Sequence, residues 1–222
     1  MRVTSWNCYK GKRVDSTVGL LAPLRADLVT LQECRRPDGE STSVIWRGKY
    51  PLQGVAVVST QPELRLEPVD IPSLHPTVVP VIVHAPKPFM FVGVWTHKPF
   101  NPVAWKAMSA CFAKADGLPV VAAGDFNSSP GVIGQELTSL RFLKRMQDEL
   151  GLVSAYHHFY GEEPGDETRA SYYHLWNESK PFHIDYCFVP ESWLDPLVGM
   201  EIGNFADWPE SDHRPLTVDI KD

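Results

Sequence analysis

The sequence predicts an α/β protein in which sheets pack on one another and helices lie outside them. Two observations predict it. Short apolar runs of strand length outnumber stretches of helical period, and two clear helical stretches are nevertheless interleaved among them. The chain is organised around Pro119-Val-Val-Ala-Ala-Gly-Asp125-Phe-Asn127-Ser-Ser-Pro130. Small and branched apolar residues form a buried strand, Gly124 ends it, and Ser128 to Gly131 turn the chain at once. Asp125 and Asn127 stand two apart, so on an extended chain their side chains face the same way. An acid and an amide are thereby held side by side at a strand mouth, where α/β proteins place their chemistry.

Taken in order, residues 2–7 alternate as a first strand and residues 9–13 make a basic turn. Asp15 is placed to cap a short helix carrying Leu20, Leu21 and Leu24, interrupted by Pro23. Residues 26–33 form a second buried strand that ends in Glu33, and the polar, glycine-bearing stretch 35–50 is expected to be a loop. Strands follow at 54–59, 64–69, 78–84 and 89–95, with 64–69 a candidate edge because prolines flank it. Asn101 is the expected cap of the first clear helix, with Pro102 in its first turn and Ala104, Ala107, Met108, Cys111 and Ala115 as its apolar face. The second helix, 136–150, carries Leu140, Leu143, Met146 or Gln147, and Leu150 on one side, while Arg141, Lys144 and Arg145 lie off it. Residues 160–170 are expected to form a surface loop, and 171–174 and 183–189 two strands. A loop around Trp208 and Ser211-Asp-His-Arg-Pro215 then precedes a last strand, 216–220.

At 222 residues the default is one domain, residues 1–222, acting as a monomer. The four cysteines, Cys8, Cys34, Cys111 and Cys187, show no zinc spacing and sit in apolar elements, as buried free thiols of a reducing compartment do. No apolar run is long enough to span a bilayer, and the first residues already form a strand rather than a signal peptide, so a cytoplasmic protein is expected. A net charge of −6 argues against gripping long nucleic acid through many phosphates. It is compatible with a metal-dependent enzyme, whose ligands are themselves acids.

Strand ends collect polar groups: Asn7, Glu33, Asp125 with Asn127, and Asp212 with His213. Asp185 lies inside an apolar strand beside His183, and a buried carboxylate requires a partner. His213 suits it, because a carboxylate on one ring nitrogen fixes the tautomer and raises the basicity of the other. Oxygen ligands such as Glu33 and Asp212 favour a hard cation, Mg2+ or Mn2+, over zinc. Taken singly, Glu33 reads as a strand-end surface acid, Asp212 as a turn residue before Arg214-Pro215 and Asn7 as a turn former. Jointly, so many strand ends delivering an acid or an amide point to chemistry.

Ser5-Trp-Asn7, Leu31-Gln-Glu33, Gly54-Val-Ala-Val-Val-Ser59, Thr96-His97, Gly124-Asp-Phe-Asn127, His183-Ile-Asp-Tyr186 and Ser211-Asp-His213 together resemble, in order, the motifs of the endonuclease/exonuclease/phosphatase superfamily. That superfamily includes deoxyribonuclease I and exonuclease III. The resemblance covers residue 3 to about 218 and implies a four-layered α/β sandwich, two packed mixed β-sheets flanked by helices, with the site at one end of the sheets. It implies Glu33 as main metal ligand with Asn7 and Asp212 beside it. Asp125 would align or deprotonate the attacking water, Asn127 hold phosphate or water, and His213, oriented by Asp185, contact the scissile phosphate. His97 stands where several members keep a phosphate-contacting histidine, although no carboxylate partner for it is evident.

The expected activity is hydrolysis of phosphodiesters in DNA or RNA by a magnesium-dependent nuclease. A phospholipid head group, an inositol phosphate or a protein–nucleic-acid phosphodiester remains an alternative substrate, and a catalytically silent binding module on the same fold an alternative function. The chain is short for the family and shows no counterpart of the arginine-bearing inserts that grip duplex DNA in some members. Lys10, Lys12, Arg13, Arg35 and Arg36 follow the first two site residues and either line a rim or form a solvated basic surface. Trp46, Tyr172, Tyr173, Trp176, Phe182 and Trp208 lie in or near loops leading to the site, as core or as stacking surfaces.

Overall fold

A computed structural model describes residues 1–39 and 41–221. In chain order its elements are β1 (Arg2–Asn7), α1 (Val14–Leu20), β2 (Leu28–Cys34), β3 (Val44–Tyr50), β4 (Gln53–Ser59), β5 (Arg65–Pro68), β6 (Val78–His84) and β7 (Phe89–Trp95). There follow α2 (Phe100–Lys114), β8 (Val120–Asp125), α3 (Glu136–Leu150), β9 (Leu152–Ser154), α4 (Ala155–Tyr160), β10 (Tyr172–Tyr173), β11 (Pro181–Phe182), β12 (Asp185–Pro190), β13 (Leu197–Ile202) and β14 (Leu216–Ile220). Two six-stranded sheets result, one in the order β13-β14-β1-β2-β4-β3 and the other β5-β6-β7-β8-β12-β9. No helix among the described residues is long and apolar enough to cross a membrane.

Alternation along the strands sorts side chains into three cores. Val3, Leu28, Val55 and Val57 of one sheet face Val79, Val81, Phe91, Val121 and Cys187 of the other. On the outer face of the second sheet, Met90, Val92, Val94, Ala122 and Phe188 receive Ala104, Ala107, Met108 and Cys111 of α2 and Phe142 and Met146 of α3. Trp6, Val29, Leu31 and Ala56 cover the outer face of the first sheet, with Val14 from α1 and the nearby Leu21. The layers are therefore helix, sheet, sheet, helix, and all four cysteines are buried and free.

Several local expectations are corrected. Residues 44–50 are a strand and not part of a loop: β3 is an edge strand paired with β4, only partly buried along its length, so it carries no alternation to betray it. Gly54 leaves space there for the Trp46 ring and the Arg47 carbonyl, both of which a Cβ would strike. Within the expected loop, residue 40 lies outside the described residues. The helical hydrogen bonds of α2 start from Pro99, and Asn101 is not its cap. Asn101 is instead buried between the helices, its amide donating to Ser139 Oγ at 3.4 Å. Likewise Arg13, and not Asp15, occupies the cap position of α1, and Asp15 pairs with Arg13 at 3.2 Å. The buried side of α3 is Ser139, Phe142 and Met146, while Leu140 is 40% exposed, because the helix turns its aromatic residue toward Phe126 and Phe188. β9, α4, β11 and β13 were not anticipated: three are very short, and β13 is an edge strand. The expected edge position of β5 is observed.

A second buried polar group precedes β12. His183 donates its Nδ1–H to the Arg169 carbonyl at 3.1 Å, while its Nε2 is buried without a partner. Burial pushes this imidazole down to about 4, against the opposing pull of Glu167. Between about pH 4 and the unfolded value near 6.5, the unfolded chain therefore binds a proton that the native protein refuses. The contribution is complete above that window and is lost as pH falls through it, a change on the order of 3 kcal/mol. Urea unfolding at several pH values should show this acid loss, and His183→Phe should flatten it. An unchanged pH slope in the variant would show that His183 titrates normally.

Candidate active site

The topology delivers the polar residues to one place. β1 and β2 are parallel, so Asn7 and Glu33 emerge at the same end. β7 and β8 are also parallel, which brings Thr96 beside Asp125. β12 runs antiparallel to β8 with Asp185 opposite Asp125, and β14 runs antiparallel to β1, so the segment 211–213 that precedes it reaches the same end.

Backbone geometry at this end is specialised. Glu33 has φ +57° where the β2–β4 register slips, a bulge that redirects its side chain. Asn127, Tyr9 and Lys10 also have positive φ, at +52°, +62° and +45°. Non-glycine residues in this region carry a conformational cost and concentrate at functional sites. Gly124 has to be glycine, because a Cβ there would collide with the Val94 carbonyl of the adjacent strand.

Asp125 is 1% exposed and held from both sides. Its Oδ1 accepts the Asn127 backbone N–H at 2.8 Å, and its Oδ2 accepts the amides of Asn7 at 2.9 Å and Asn127 at 3.0 Å. Asn127 also donates to the Thr96 carbonyl at 3.2 Å. The Asn7 amide reaches Glu33 Oε1 at 3.2 Å, and its own oxygen accepts the Tyr9 N–H. Glu33 Oε2 accepts the Lys10 backbone N–H at 3.1 Å and the Gln53 amide at 3.4 Å.

Asp185 and His213 meet. Oδ2 of the acid lies 2.9 Å from Nδ1 of the ring, and Nε2 points toward Asp125 Oδ2 at 3.8 Å, beyond hydrogen-bond distance. Ser171 Oγ receives the N–H groups of Ile184 and Asp185, and Ser211 Oγ receives that of His213 while donating to the Asn7 carbonyl. Trp6 Nε1 donates to the His213 carbonyl, and the Tyr172 ring lies 4.7 Å from the imidazole.

Burial alone would lower the His213 pKa, but Asp185 and Asp125 outweigh it and carry it to about 9. Burial, helped by Asp185, raises Asp125 to about 7 against the pull of His213. Burial and neighbouring Glu33 also raise Asp212. At neutral pH this makes His213 a cationic donor beside an acid that can accept a proton.

The site also offers donors for a cation. Asp125, Asp185 and His213 offer ligand atoms all within 4.8 Å of one another, and Asp185 Oδ1 is buried without a partner. Glu33 and Asp212 oppose each other electrostatically nearby. The carboxylates of Glu33 and Asp212, which repel one another, fit a hard divalent cation, whereas the Asp125, Asp185 and His213 group includes a ring already bonded to Asp185.

His97 makes no hydrogen bond or ion pair with a carboxylate among the described residues, although Glu33 is near enough to oppose the lowering of its pKa. Its ring contacts Trp95 at 4.2 Å and His75 at 5.6 Å, and burial lowers its pKa. Of the loop aromatics, Trp208 packs edge-on against Trp6, and Tyr173 with Phe205 flanks the buried Arg214, which donates to the carbonyls of Trp208, Ser211 and His213. The contributions of Gln53, Ser171 and Arg214 are not legible in the sequence, and Thr96 and Ser211 stand in its motifs without an assigned role. The one signal was Arg214 itself, a charged residue leading into an apolar strand.

A family model described as Endonuclease/Exonuclease/phosphatase family matches residues 4–213. Among curated proteins, none matches. Among solved structures, a 3′-5′ exonuclease from Neisseria meningitidis is similar with a TM-score of 0.76 and 18% identity over 100% of both chains. A Neisseria 3′ phosphatase bound to a product DNA hairpin gives 0.71 and 20%, covering 100% of this chain and 99% of that one. The endonuclease domain of a telomere-specific non-LTR retrotransposon gives 0.72 and 17%, covering 99% and 97%. At these identities the structural likeness establishes a common fold.

Proposed function

Since the chain belongs to the endonuclease/exonuclease/phosphatase family, we propose that it is a divalent-metal-dependent phosphodiesterase, a nuclease acting on DNA or RNA by in-line attack of water. The observation that carries this reading is the pair of facing groups at the strand ends: His213, charged and oriented by Asp185, and Asp125, held by three N–H donors 3.8 Å away. A cationic donor and an acceptor thus stand side by side at the strand ends, the one suited to a phosphate oxygen and the other to a water.

In this reading Asp125 orients the attacking water and takes its proton, for which a carboxyl raised to about 7 is well poised. Asn127 and Asn7 keep the Asp125 oxygens in place. His213 donates its Nε2–H to the phosphate, and Asp185 holds the tautomer and balances the charge. Glu33 and Asp212 would hold Mg2+ or Mn2+, with Asn7 beside them. Such an ion, when bound, supplies charge neutralisation at the phosphate. His97 is proposed as a further phosphate contact at the rim. Retention of the whole acid and histidine set favours an enzyme over a silent binding module.

Glu33→Gln keeps size and most hydrogen bonds but removes an anionic ligand, so magnesium affinity measured by isothermal titration should fall about tenfold or more with the fold intact. Equal binding would exclude Glu33 as a ligand. The reading as a whole is tested by a panel with magnesium or manganese: single-stranded, duplex and abasic DNA, RNA, 3′-phosphorylated ends, inositol phosphates and small phosphodiesters. Hydrolysis confined to inositol phosphates or lipid head groups would replace the nuclease assignment.

A further inference from the structure

The loop after β1 joins two exposed tips beside the site. At Gly11 it lies against the β3–β4 turn, where a Cβ would sit 2.7 Å from the Leu52 carbonyl, and Tyr50 and Leu52 of that turn are each 62% exposed. At Tyr9 it meets the tip of the β10–β11 hairpin, with the Trp176 ring edge-on at 4.6 Å. Trp176 remains 37% exposed and Leu175 72% exposed, and both have positive φ, +56° and +55°. Two large apolar side chains are thus held in costly backbone conformations without being buried.

Cations are interleaved with these rings. Lys10 Nζ lies 4.5 Å from the centre of the Tyr9 ring and Lys49 Nζ 5.3 Å from that of Tyr50, while Arg35 and Arg36 are exposed on the adjoining segment. None of these four forms an ion pair among the described residues. Arg13, by contrast, is occupied by Asp15 and Asp38, and Lys12 by the Glu210 carbonyl. Partly exposed rings, two of them with a lysine ammonium over the ring, set among cations that no carboxylate pairs, match a strand whose bases are unstacked from a complement and whose phosphates stay accessible. A duplex presents phosphates but hides its base faces, so the exposed rings would gain nothing from it.

Resting on the phosphodiesterase reading above, we infer that this rim, from Leu52 over Lys10 to the Tyr9–Trp176 pair, cradles unpaired nucleotides and makes single-stranded ends the preferred substrate.

The test compares Trp176→Ala and Trp176→Phe, both in an Asp125→Asn background that slows cleavage. Fluorescence anisotropy would follow three labelled probes: a short DNA single strand, a strand of base-free spacer phosphates of equal length, and a blunt duplex. Trp176→Ala should bind the single strand roughly 5–100-fold more weakly and the other two probes within about twofold, and Trp176→Phe should retain most of the affinity. No loss on the single strand, or the same loss on all three probes, overturns the cradle. Hydrolysis by the unmodified protein separates the two levels of inference. Cleavage of duplex and small phosphodiesters but not of single strands refutes the cradle alone, whereas hydrolysis of no phosphodiester refutes the reading beneath it.

Discussion

Folded Asp125→Asn protein is expected to turn substrate over roughly 10²–10⁴-fold more slowly, the usual contribution of a positioned acid–base group. Asparagine matches the shape but lacks the charge that orients and deprotonates water. The site also resists the exchange in a specific way. Asp125 accepts N–H groups at both oxygens, the Asn127 backbone at Oδ1 and the Asn7 and Asn127 amides at Oδ2. Whichever way the new amide is turned, its NH2 faces a donor. The 126–128 segment should therefore loosen locally while the strands stay paired, visible as faster amide exchange at Asn127. Substrate affinity should change little, because Asp125 acts on the water. Near-normal turnover in a folded variant would remove Asp125 from the chemical step.

The second large effect concerns Asp185 and His213. Each single change, Asp185→Asn or His213→Ala, should cost roughly 10²–10⁴-fold in turnover, and the double variant should be hardly worse than either. The reason lies in the 2.9 Å contact between them: Asp185 keeps His213 charged and aimed, so losing either removes the same cationic donor. The pH profile gives an independent readout. His213 is carried to about 9 by its acidic neighbours, so loss of activity at high pH should shift to lower pH once Asp185 is neutral. Multiplicative losses with an unmoved alkaline limb would leave Asp185 a structural residue only.

How much of this was legible varies from residue to residue. Asp185 announced a partner because an acid inside an apolar strand is costly alone, and the only requirement was a histidine able to reach it. Glu33, Asp125 and Asn127 were legible as strand-end polar groups because apolar runs stop at them. The β3 edge strand was not legible, since a strand half-exposed along its length shows no alternation. Nor was the buried face of α3, where Leu140 and Phe142 compete and only the position of Phe126 and Phe188 on the sheet decides between them. Asn101 reads locally as a helix cap, and burial against α3 claims it first.

By itself the sequence determined which chemistry-bearing residues terminate which elements, because burial periodicity and turn residues are local properties of the chain. It also determined the family, through the order of its motifs. Only the tertiary structure decided which of those residues touch. Parallel pairing of β1 with β2 and β7 with β8, and antiparallel pairing of β12 with β8 and β14 with β1, bring six segments to one end. Only that convergence sets a 2.9 Å bond from Asp185 to His213 beside a 3.8 Å gap to Asp125, and leaves Trp176 on Tyr9 instead of in the core. Hydrogen bonds and ring contacts act over a few ångströms between groups remote in sequence, and no local pattern in the chain encodes such distances.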